Sequence, residues 1–549
     1  MAEALKGLGV SSGRAAGRVC RMAGPPELPP RHPVADTDAE LGLALDALRA
    51  TAAELAERAE KAPDAEAQAI LEAQSFIADD PGLHESVETS VRAGADAAHA
   101  IDEACAHHRH ALLAAGGYIA ERAADLDDIR NRAVAAVLGL PVPGVPTPGH
   151  PFVLVAEDLS PADTVNLDPD TVLALVTEKG GPTSHTAILA RARGLPAVVA
   201  CRGMSEVDEG TWVSVDGLRG EVEVGIGEEA ATEIQRLAEA ERRRKSTSRG
   251  PGRTSDGHPV KLLLNVGSAA DLTPQGVDAE GVGLFRTEFL FLDRREEPGY
   301  EEQVAAYAAV FRAVPGGHVV VRTLDAGTDK PLPFLGLADE TNPALGIRGL
   351  RVSRVRPEVL DTQLDAIAEA ARQSGAEPWV MAPMVTTAGE AADFAGRARA
   401  RGITRVGAMV EVPAAALHAG RLLKELDFLS IGTNDLSQYT FASDRQHGDL
   451  ADLLDPWQAA LLQLIADCAA AGQSVGKPVG VCGEAAADPL LATVLVGLGV
   501  TSLSMSAPSV PAVRESLAAH SLAQCRDNAQ IALGSDDPEQ ARKLIVPGW

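Results

Sequence analysis

The chain has 549 residues, 46% of them hydrophobic, which at roughly 100–200 residues per domain allows about three domains with separate cores. Its 77 acidic and 49 basic residues give a formal net charge of -28, which disfavours nucleic acid and favours a partner with a basic surface. No apolar run approaches the roughly 20 residues that span a bilayer, and the N-terminus lacks the apolar core of a signal peptide, so we expect a cytoplasmic protein.

The opening residues have strand and turn character but are too short to fold alone. We therefore predict that residues 1–23 begin an α/β domain that continues later in the chain. Two Pro/Gly-rich stretches, at 24–33 and 140–151, enclose a segment rich in Ala, Glu and Arg. Leucines recur there at helical spacing from Leu41 to Leu55. This pattern predicts an inserted helical domain over residues 34–140.

Short β-branched runs and one strong helix follow, which predicts that residues 145–226 complete the α/β domain. Residues 227–250 are polar and charged without a broad apolar face, and we interpret them as a linker helix. In residues 251–549, eight apolar strand candidates alternate with helical stretches. They begin at Val260, Gly281, Val319, Trp379, Arg405, Phe428, Val479 and Ser502. Eight strands over roughly 250 residues predict a (β/α)8 barrel, also called a TIM barrel.

Polar and charged residues follow most of these strands, which is where barrels of this kind carry their active sites. The set consists of Asn265, Arg286, Arg322, Glu411, Asn434, Asp435, Cys482, Glu484, Ser504 and Ser506. Any one of them can be purely structural, because a lone arginine often forms an ion pair and a free cysteine often packs as a small hydrophobe. Their shared position predicts that the side chains converge on one mouth.

Two arginines of this set indicate an anionic ligand. Arginine binds phosphate and carboxylate through two parallel hydrogen bonds, so Arg286 and Arg322 fit a small molecule that carries both groups. Arg348 and Arg445 lie in nearby loops and are further candidates.

The acids and the thiol complete this predicted site. Glu411 and Asp435 are hard oxygen ligands, and Mg²⁺ typically takes one or two carboxylates together with substrate phosphate oxygens. We therefore consider this pair a candidate magnesium site. Cys482 is expected to act as a proton donor or a nucleophile at the same mouth.

A second candidate site is the run GGPTSHTAILARARGLPAVV. Its two glycines allow backbone amides to approach a phosphate, and Thr183 or Ser184 can cap a helix that begins at His185. A helix N-terminus attracts phosphate and disfavours a protonated imidazole, which favours a neutral, nucleophilic His185. A histidine near a helix start can also be structural, so this role is a hypothesis.

The run GGPTSHTAILAR resembles the phosphohistidine signature of enzyme I of the bacterial phosphoenolpyruvate-dependent sugar phosphotransferase system. Similar motifs cover essentially the whole chain. They include AEGVGLFRTEFLF from Ala279, VRTLDAGTDK from Val321, NPALGIRGLR from Asn342, VGAMVEVPAAA from Val406, DFLSIGTNDLSQYTFASDR from Asp427, VGVCGEAAADP from Val479 and SLSMSAPSVP from Ser502. Because these motifs are long and specific, chance similarity is negligible.

The resemblance implies a multidomain α/β protein, in which a swivelling α/β phosphohistidine domain with an inserted helical domain precedes a phosphoenolpyruvate-binding barrel. It implies a phosphotransferase with a nitrogenous acceptor, which moves the phosphoryl group from phosphoenolpyruvate to His185 and releases pyruvate. By similarity, Glu411 and Asp435 hold Mg²⁺, and Cys482 protonates the enolate of the departing pyruvate. The resemblance assigns phosphoenolpyruvate binding to Arg286, Arg322, Asn434, Asp435 and Arg445, to which we add Arg348.

In this family the phosphoryl group passes on to the histidine phosphocarrier protein HPr, which docks on the inserted helical domain. The acidic residues that we select as candidate contacts are Glu66, Glu72, Asp79, Asp80 and Glu85. Charged residues on helices also often just face water, so this surface is a hypothesis. Family members dimerise through the barrel, and the resemblance therefore implies a homodimer.

Two alternatives stay open at this point. Pyruvate phosphate dikinase and phosphoenolpyruvate synthase share the mobile phosphohistidine domain and the barrel, but they need a nucleotide-grasping domain. This chain has neither the length nor a Gly-rich ATP loop for one. A non-catalytic paralogue that binds phosphoenolpyruvate or the carrier without turnover is the second alternative, although every proposed catalytic residue is present.

Overall fold

The computed structural model describes most of the 549 residues. The described ranges are 3–11, 13–22, 24–31, 33–60, 65–115, 123–141, 143–146, 148–157, 159, 167–168, 171–181, 184–272, 278–292, 294, 296–314, 316–327, 332–337, 340–445 and 448–546. The chain forms two compact units, whose main division falls between Gln235 and Arg236. Within the described ranges, no helix is long and apolar enough to cross a membrane.

The strands described in the first unit are β1 (Glu3–Lys6), β2 (Leu8–Ser11), β3 (Arg14–Arg21), β4 (Phe152–Ala156), β5 (Val172–Thr177), β6 (Ala197–Val199), β7 (Trp212–Asp216) and β8 (Glu221–Val224). They form one sheet in the order β1-β8-β7-β3-β4-β5-β6-β2. Strand β3 pairs in parallel with β4 and antiparallel with β7, so the N-terminal segment joins the later strands. Leu154 and Val155 on β4 belong to different hydrophobic clusters, which explains a run of apolar residues without alternation. This arrangement confirms the predicted α/β domain.

The helices described before the barrel are α1 (Thr37–Glu60), α2 (Ala65–Ala78), α3 (Pro81–Arg92), α4 (Ala97–Ala115), α5 (Ala123–Leu138), α6 (His185–Arg193) and α7 (Glu228–Thr247). Helices α1 to α5 lie between β3 and β4 in the sequence. They share a hydrophobic core that includes Leu48, Leu83, Ile101 and Ile129. The helical spacing of the leucines on α1 thus reflects a buried face, and the predicted helical insertion is confirmed.

The barrel strands are β9 (Lys261–Val266), β10 (Gly281–Arg286), β11 (His318–Arg322), β12 (Trp379–Ala382), β13 (Arg405–Val410), β14 (Phe428–Ile431), β15 (Val479–Val481) and β16 (Ser502–Met505). They close in the order β10-β11-β12-β13-β14-β15-β16-β9, and every neighbouring pair is parallel. All eight predicted strands are present. The (β/α)8 prediction is therefore confirmed.

Helices surround this barrel and bury the outward-facing strand residues. They are α8 (Tyr300–Ala313), α9 (Pro357–Ser374), α10 (Ala388–Arg399), α11 (Pro413–Leu417), α12 (Ala419–Glu425), α13 (Thr433–Phe441), α14 (Ala459–Val475), α15 (Pro489–Gly497), α16 (Val510–Ala519), α17 (Leu522–Gly534) and α18 (Pro538–Ile545). Leu364 and Ile367 on α9, for example, share one core with Val321 on β11. Inward-facing side chains such as Val320 and Met409 form a second, smaller cluster inside the barrel. Because all strands are parallel, their C-terminal ends meet at one mouth.

Candidate active site

The structure places the predicted strand-end residues at that mouth. Arg286 ends β10 and Arg322 ends β11, and the two are register partners in the sheet. Glu411 directly follows β13 and Cys482 directly follows β15, while Asp435 lies in the first turn of α13, after β14. The parallel closure of the barrel therefore brings together residues that are spread over almost 200 positions of the sequence.

Arg322 lies between two carboxylates. Its Nη2 donates to Glu288, and its Nη1 is 3.0 Å from Asp325 Oδ2. The guanidinium is buried, which lowers its pKa, but Glu288, Asp325 and Glu411 raise the pKa by more than burial lowers it. Among the described residues, Arg322 Nε and Glu288 Oε2 have no hydrogen-bond partner although they are buried. The mouth thus holds a fixed cation that retains a donor for a ligand.

Arg348 continues this row of charges. Its Nη2 donates to both oxygens of Asp325, at 3.3 and 3.4 Å, and its Nη1 donates to Asp435 Oδ1 at 3.2 Å. Arg445 Nη1 donates to the other oxygen of Asp435 at 3.3 Å. Alternating acids and arginines therefore extend across the mouth, from Glu288 to Arg445. Such a network holds the arginines in place before any ligand arrives.

Glu411 is 1% exposed, and its Oε1 accepts a hydrogen bond from the Met384 amide at 2.5 Å. Burial and the nearby acids Asp325 and Asp435 raise the pKa of Glu411 to about 8, against the opposing effect of Arg322. The ionised form of this carboxyl group is thus disfavoured, mainly by its burial. A divalent cation bound by oxygen ligands would favour the ionised form.

The donor set at this position fits magnesium. Within the described part of the chain, no three His, Cys, Asp or Glu side chains are grouped to hold a metal ion by themselves. Glu411 and Asp435 supply two hard carboxylates, which matches the one or two that Mg²⁺ takes when substrate phosphate and water complete its shell. At Gly432, an added Cβ would lie 3.2 Å from Glu411 Oε2, so a glycine there keeps the approach to this carboxylate open.

Cys482 is 3% exposed and faces the barrel interior, where Met409 and Phe428 belong to the same cluster. Its Sγ donates to the Ile431 carbonyl at 3.5 Å. Burial raises the pKa of the thiol above its ordinary value of 9.0, although a hydrogen bond from Ser430 and the charge of Arg322 lower it. A thiol with a raised pKa stays protonated at neutral pH, which is what a proton donor requires.

Asn434 is held by the chain segment that follows Cys482. Its Oδ1 accepts a hydrogen bond from the Glu484 amide at 3.1 Å, which leaves its amide group as a donor. The neighbouring Gly483 is a position where a side chain does not fit, because an added Cβ would collide with Thr433 at the start of α13. The first turn of α13 and the turn after β15 are therefore fixed against each other.

Several supporting residues were not among the predicted ones. Gln363 on α9 is fully buried, accepts from the Leu324 amide at 2.8 Å, and donates to Thr287 Oγ1 and Tyr307 OH at 3.0 Å each. Thr287 Oγ1 in turn donates to the Arg322 carbonyl at 2.8 Å. Asp325 and Glu288 were also missed. Their positions in the sequence could have indicated them, because Glu288 and Asp325 follow the predicted strand-end arginines by two and three residues.

The second candidate site is described only in part. Helix α6 begins at His185, as predicted, and the Ser184 amide donates to the Gly181 carbonyl at 3.0 Å. Gly180 adopts a φ of 96°, which is a conformation that favours glycine. Thr183 and the side chain of His185 lie outside the described residues. The proposed roles of both residues therefore stay predictions.

The acidic residues selected on the helical domain differ in exposure and in their hydrogen bonds. Glu72, Asp79 and Glu85 are exposed, whereas the side chain of Glu66 is not among those described. Asp80 is the N-cap of α3 and accepts from two backbone amides of that helix, at 2.8 and 3.1 Å. Asp80 therefore has a structural function whether or not it contacts a partner.

Three family models match consecutive parts of the chain. Residues 6–122 match the N-terminal domain of phosphoenolpyruvate-utilising enzymes, and residues 148–220 match their mobile domain. Residues 241–522 match the phosphoenolpyruvate-binding domain of the same enzymes. The last of these covers all eight barrel strands and all the mouth residues described above.

Full-length relatives are similar over almost the whole chain. The chain is 53% identical to a phosphoenolpyruvate-protein phosphotransferase of Streptomyces coelicolor, over 99% of this chain and 98% of that protein. A protein of the same name from Staphylococcus carnosus is 35% identical and covers 99% of both chains. Another, from Haloferax volcanii, is 39% identical over 89% of this chain and 88% of its own length.

Proposed function

We propose that this chain, which belongs to the enzyme I family of phosphoenolpyruvate-protein phosphotransferases, phosphorylates its own His185 and then passes the phosphoryl group to the histidine phosphocarrier protein HPr. Family membership establishes phosphoenolpyruvate-dependent phosphotransfer in the phosphotransferase system. The observation that supports the finer proposal is the mouth itself, where the buried side chains of Arg322, Arg348, Glu411, Asp435 and Cys482 lie at or after the ends of barrel strands.

Substrate binding is the task of the arginines and of the first turn of α13. Arg286 and Arg322 bind the phosphate, while Arg348, Asn434 and Arg445 orient the rest of the molecule. Asp325 and Glu288 are already paired with Arg322, so the guanidinium needs little rearrangement when the ligand binds. Positioning and charge neutralisation of this kind supply most of the catalysis of phosphoryl transfer.

The chemical step is an in-line displacement at phosphorus. A ring nitrogen of His185 forms a bond to phosphorus as the bond between phosphorus and the enol oxygen breaks. The electron pair of that bond stays on the departing enolate of pyruvate. Cys482 then donates its thiol proton to C3 of the enolate, which yields pyruvate and a thiolate.

Glu411 and Asp435 hold Mg²⁺ in this proposal. When bound, the metal supplies positive charge that offsets the charge of the phosphate oxygens and of the enolate oxygen. Glu411 contributes as an ionised carboxylate, so Mg²⁺ binding would displace the proton that its raised pKa retains in the absence of a cation.

The remaining parts of the proposal concern partners and location. The inserted helical domain receives HPr through acidic residues that include Glu72, Asp79 and Glu85, which are exposed. The net charge of -28 fits a partner with a basic surface. Dimerisation through the barrel and a cytoplasmic location are expected from the same family membership.

The experiment that tests the proposal follows ³²P from labelled phosphoenolpyruvate in the presence of Mg²⁺. We expect an acid-labile, base-stable phosphoprotein that passes its label to purified HPr and that does not form with His185→Ala. A labelled wild-type chain that fails to label the carrier would contradict the partner but not the first step. Failure of the wild type to take up label would instead support the non-catalytic alternative.

A further inference from the structure

One sector of the barrel interior holds a cavity. Barrels of this kind are normally filled by bulky branched side chains. Here the lining combines bulky side chains, such as Val320 and Phe428, with five small residues, namely Gly283, Ser430, Gly480, Ser502 and Ser504. The cavity has a volume of about 30 Å³. Since roughly 10–15 Å³ is enough for one water molecule, about two water molecules fit among these hydroxyl groups.

The cavity leads from a partly exposed rim to buried hydroxyl groups. His318 and Trp379, the first residues of β11 and β12, line it at the N-terminal end of the barrel and are partly exposed. Ser430 and Ser504, which line it further inside, are buried. Burial and the charge of Lys261 lower the pKa of His318 to about 4, so its ring is neutral at pH 7 and can exchange hydrogen bonds with water.

The inner end of the cavity reaches Cys482 through side chains. The Ser430 hydroxyl interacts with the Cys482 thiol and lowers its pKa, and Cys482 Sγ donates to the carbonyl of Ile431, the residue after Ser430, at 3.5 Å. Ser430 is also the register partner of Gly480, two residues before Cys482 on the neighbouring strand. On the other side, Ser504 Oγ donates to Asn265 Oδ1 at 2.5 Å, and Asn265 Nδ2 donates to the Cys482 carbonyl at 3.0 Å. Ser430 and Ser504 therefore lie between the cavity that they line and the segment around Cys482.

The proposed reaction leaves Cys482 as a buried thiolate, which has to regain a proton before the next turnover. We propose that Ser430 and water in this cavity return that proton from the N-terminal end of the barrel. The Ser430 hydroxyl gives its proton to the thiolate sulfur and takes one from a cavity water, which is replenished from solvent. The inference rests on the proposed role of Cys482 as the acid. It adds a proton route that bypasses the substrate-covered mouth.

The test compares carbon and hydrogen exchange between phosphoenolpyruvate and pyruvate at equilibrium, in D₂O with Mg²⁺ and the full-length chain. Movement of carbon label from pyruvate into phosphoenolpyruvate reports each return to phosphoenolpyruvate. Deuterium at C3 of pyruvate reports exchange of the Cys482 thiol proton with solvent. We expect deuterium incorporation to exceed carbon exchange in the wild type, because the thiol reloads while the three-carbon unit is bound. In Ser430→Ala, carbon exchange continues but the ratio of deuterium to carbon exchange falls several-fold.

A second variant changes the cavity but keeps both side chains of the proposed proton route. Gly480→Ala adds a methyl group that meets the Ser502 side chain at the cavity, so we expect it to displace water while Ser430 and Cys482 are both retained. It is also expected to lower the ratio. Ser535→Ala is the matched control, because this buried serine donates to the Ile531 carbonyl on the outer helix α17 and does not line the cavity. An unchanged ratio of deuterium to carbon exchange in both Ser430→Ala and Gly480→Ala overturns the proton route. Absence of carbon exchange in the wild type overturns the proposed function instead.

Discussion

Asp325 and Arg348 form an ion pair in which both side chains are only 1% exposed. The same Asp325 carboxylate also pairs with Arg322, so it is the shared counterion of two buried guanidinium groups. We expect Asp325→Asn to lower the free energy of unfolding by about 3–5 kcal/mol, the usual cost of breaking a buried pair. The substitution keeps the shape of the side chain, so the loss isolates its charge. Urea unfolding of both chains measures the effect.

The control for Asp325→Asn is an exposed pair on the same barrel. Lys543 and Glu539 on α18 form an ion pair whose side chains are 56% and 61% exposed, and Glu539→Gln is expected to change stability little. We also expect Asp325→Asn to weaken phosphoenolpyruvate binding in a His185→Ala background, where no turnover occurs. Equal stability and affinity in the wild type and in Asp325→Asn would show that the shared counterion is dispensable.

Gln363 provides a second prediction, because it ties the chain after Arg322 to Thr287 and Tyr307. Gln363→Leu leaves the Leu324 amide without its acceptor, and each buried group that is left unpaired costs about 1–3 kcal/mol. We expect a larger rise in the KM for phosphoenolpyruvate in Gln363→Leu than in Tyr307→Phe. The latter removes only the hydroxyl and keeps the bonds of Gln363 to Leu324 and Thr287. Steady-state kinetics give the KM of the two variants, and urea unfolding gives the stability that each one loses. A KM that rises more in Gln363→Leu than its stability loss explains indicates that the network positions Arg322.

The raised pKa of Glu411 predicts how stability depends on pH without magnesium. The folded protein holds the Glu411 proton up to about pH 8, whereas the unfolded chain releases it near the ordinary value of 4.5. The unfolded state therefore binds fewer protons between these values, and this group's contribution to stability falls as pH rises through the window. Relative to Glu411→Gln, the metal-free wild type should lose stability between pH 5 and pH 8.

Magnesium provides the complementary measurement for Glu411. Because a bound cation favours the ionised carboxylate, Mg²⁺ at pH 8 should stabilise the wild type and have little effect on Glu411→Gln. Thermal unfolding with and without the metal tests both statements. A metal response that is the same in the two proteins would remove Glu411 from the proposed ligand set.

The acidic surface of the helical domain predicts a change in one half-reaction only. We expect Glu72→Lys combined with Glu85→Lys to slow phosphoryl transfer to HPr and to reduce its salt dependence, while phosphorylation by phosphoenolpyruvate continues. To test the charge of Asp80 in the same assay, Asp80→Asn is preferable to Asp80→Ala, because asparagine can still cap α3. Glu301→Lys combined with Glu425→Lys, at exposed positions on the barrel helices α8 and α12, is the matched double charge reversal. Equal slowing by that control would point to net charge and not to a docking surface.

The barrel was predictable from sequence because each strand is a short apolar run bounded by turns, which is a local pattern. Parallel closure then fixes which ends of the strands meet, so Arg322, Glu411 and Cys482 could be placed at one mouth. The partner of each side chain was not predictable in this way. Arg348 donates to Asp435, 87 positions further along the chain, and only the folded loops determine that pairing. Gln363 likewise looks like any polar residue of a helix until its burial is known.

The position of the phosphoryl group after a single turnover tests whether His185 is the acceptor. Full-length protein is mixed with one equivalent of labelled phosphoenolpyruvate and Mg²⁺, and the peptides are analysed under alkaline conditions that preserve phosphohistidine. We expect label on the peptide that contains His185, together with one pyruvate released for each phosphoryl group bound. Label on any other residue, or pyruvate formed with release of inorganic phosphate and no labelled peptide, would contradict it.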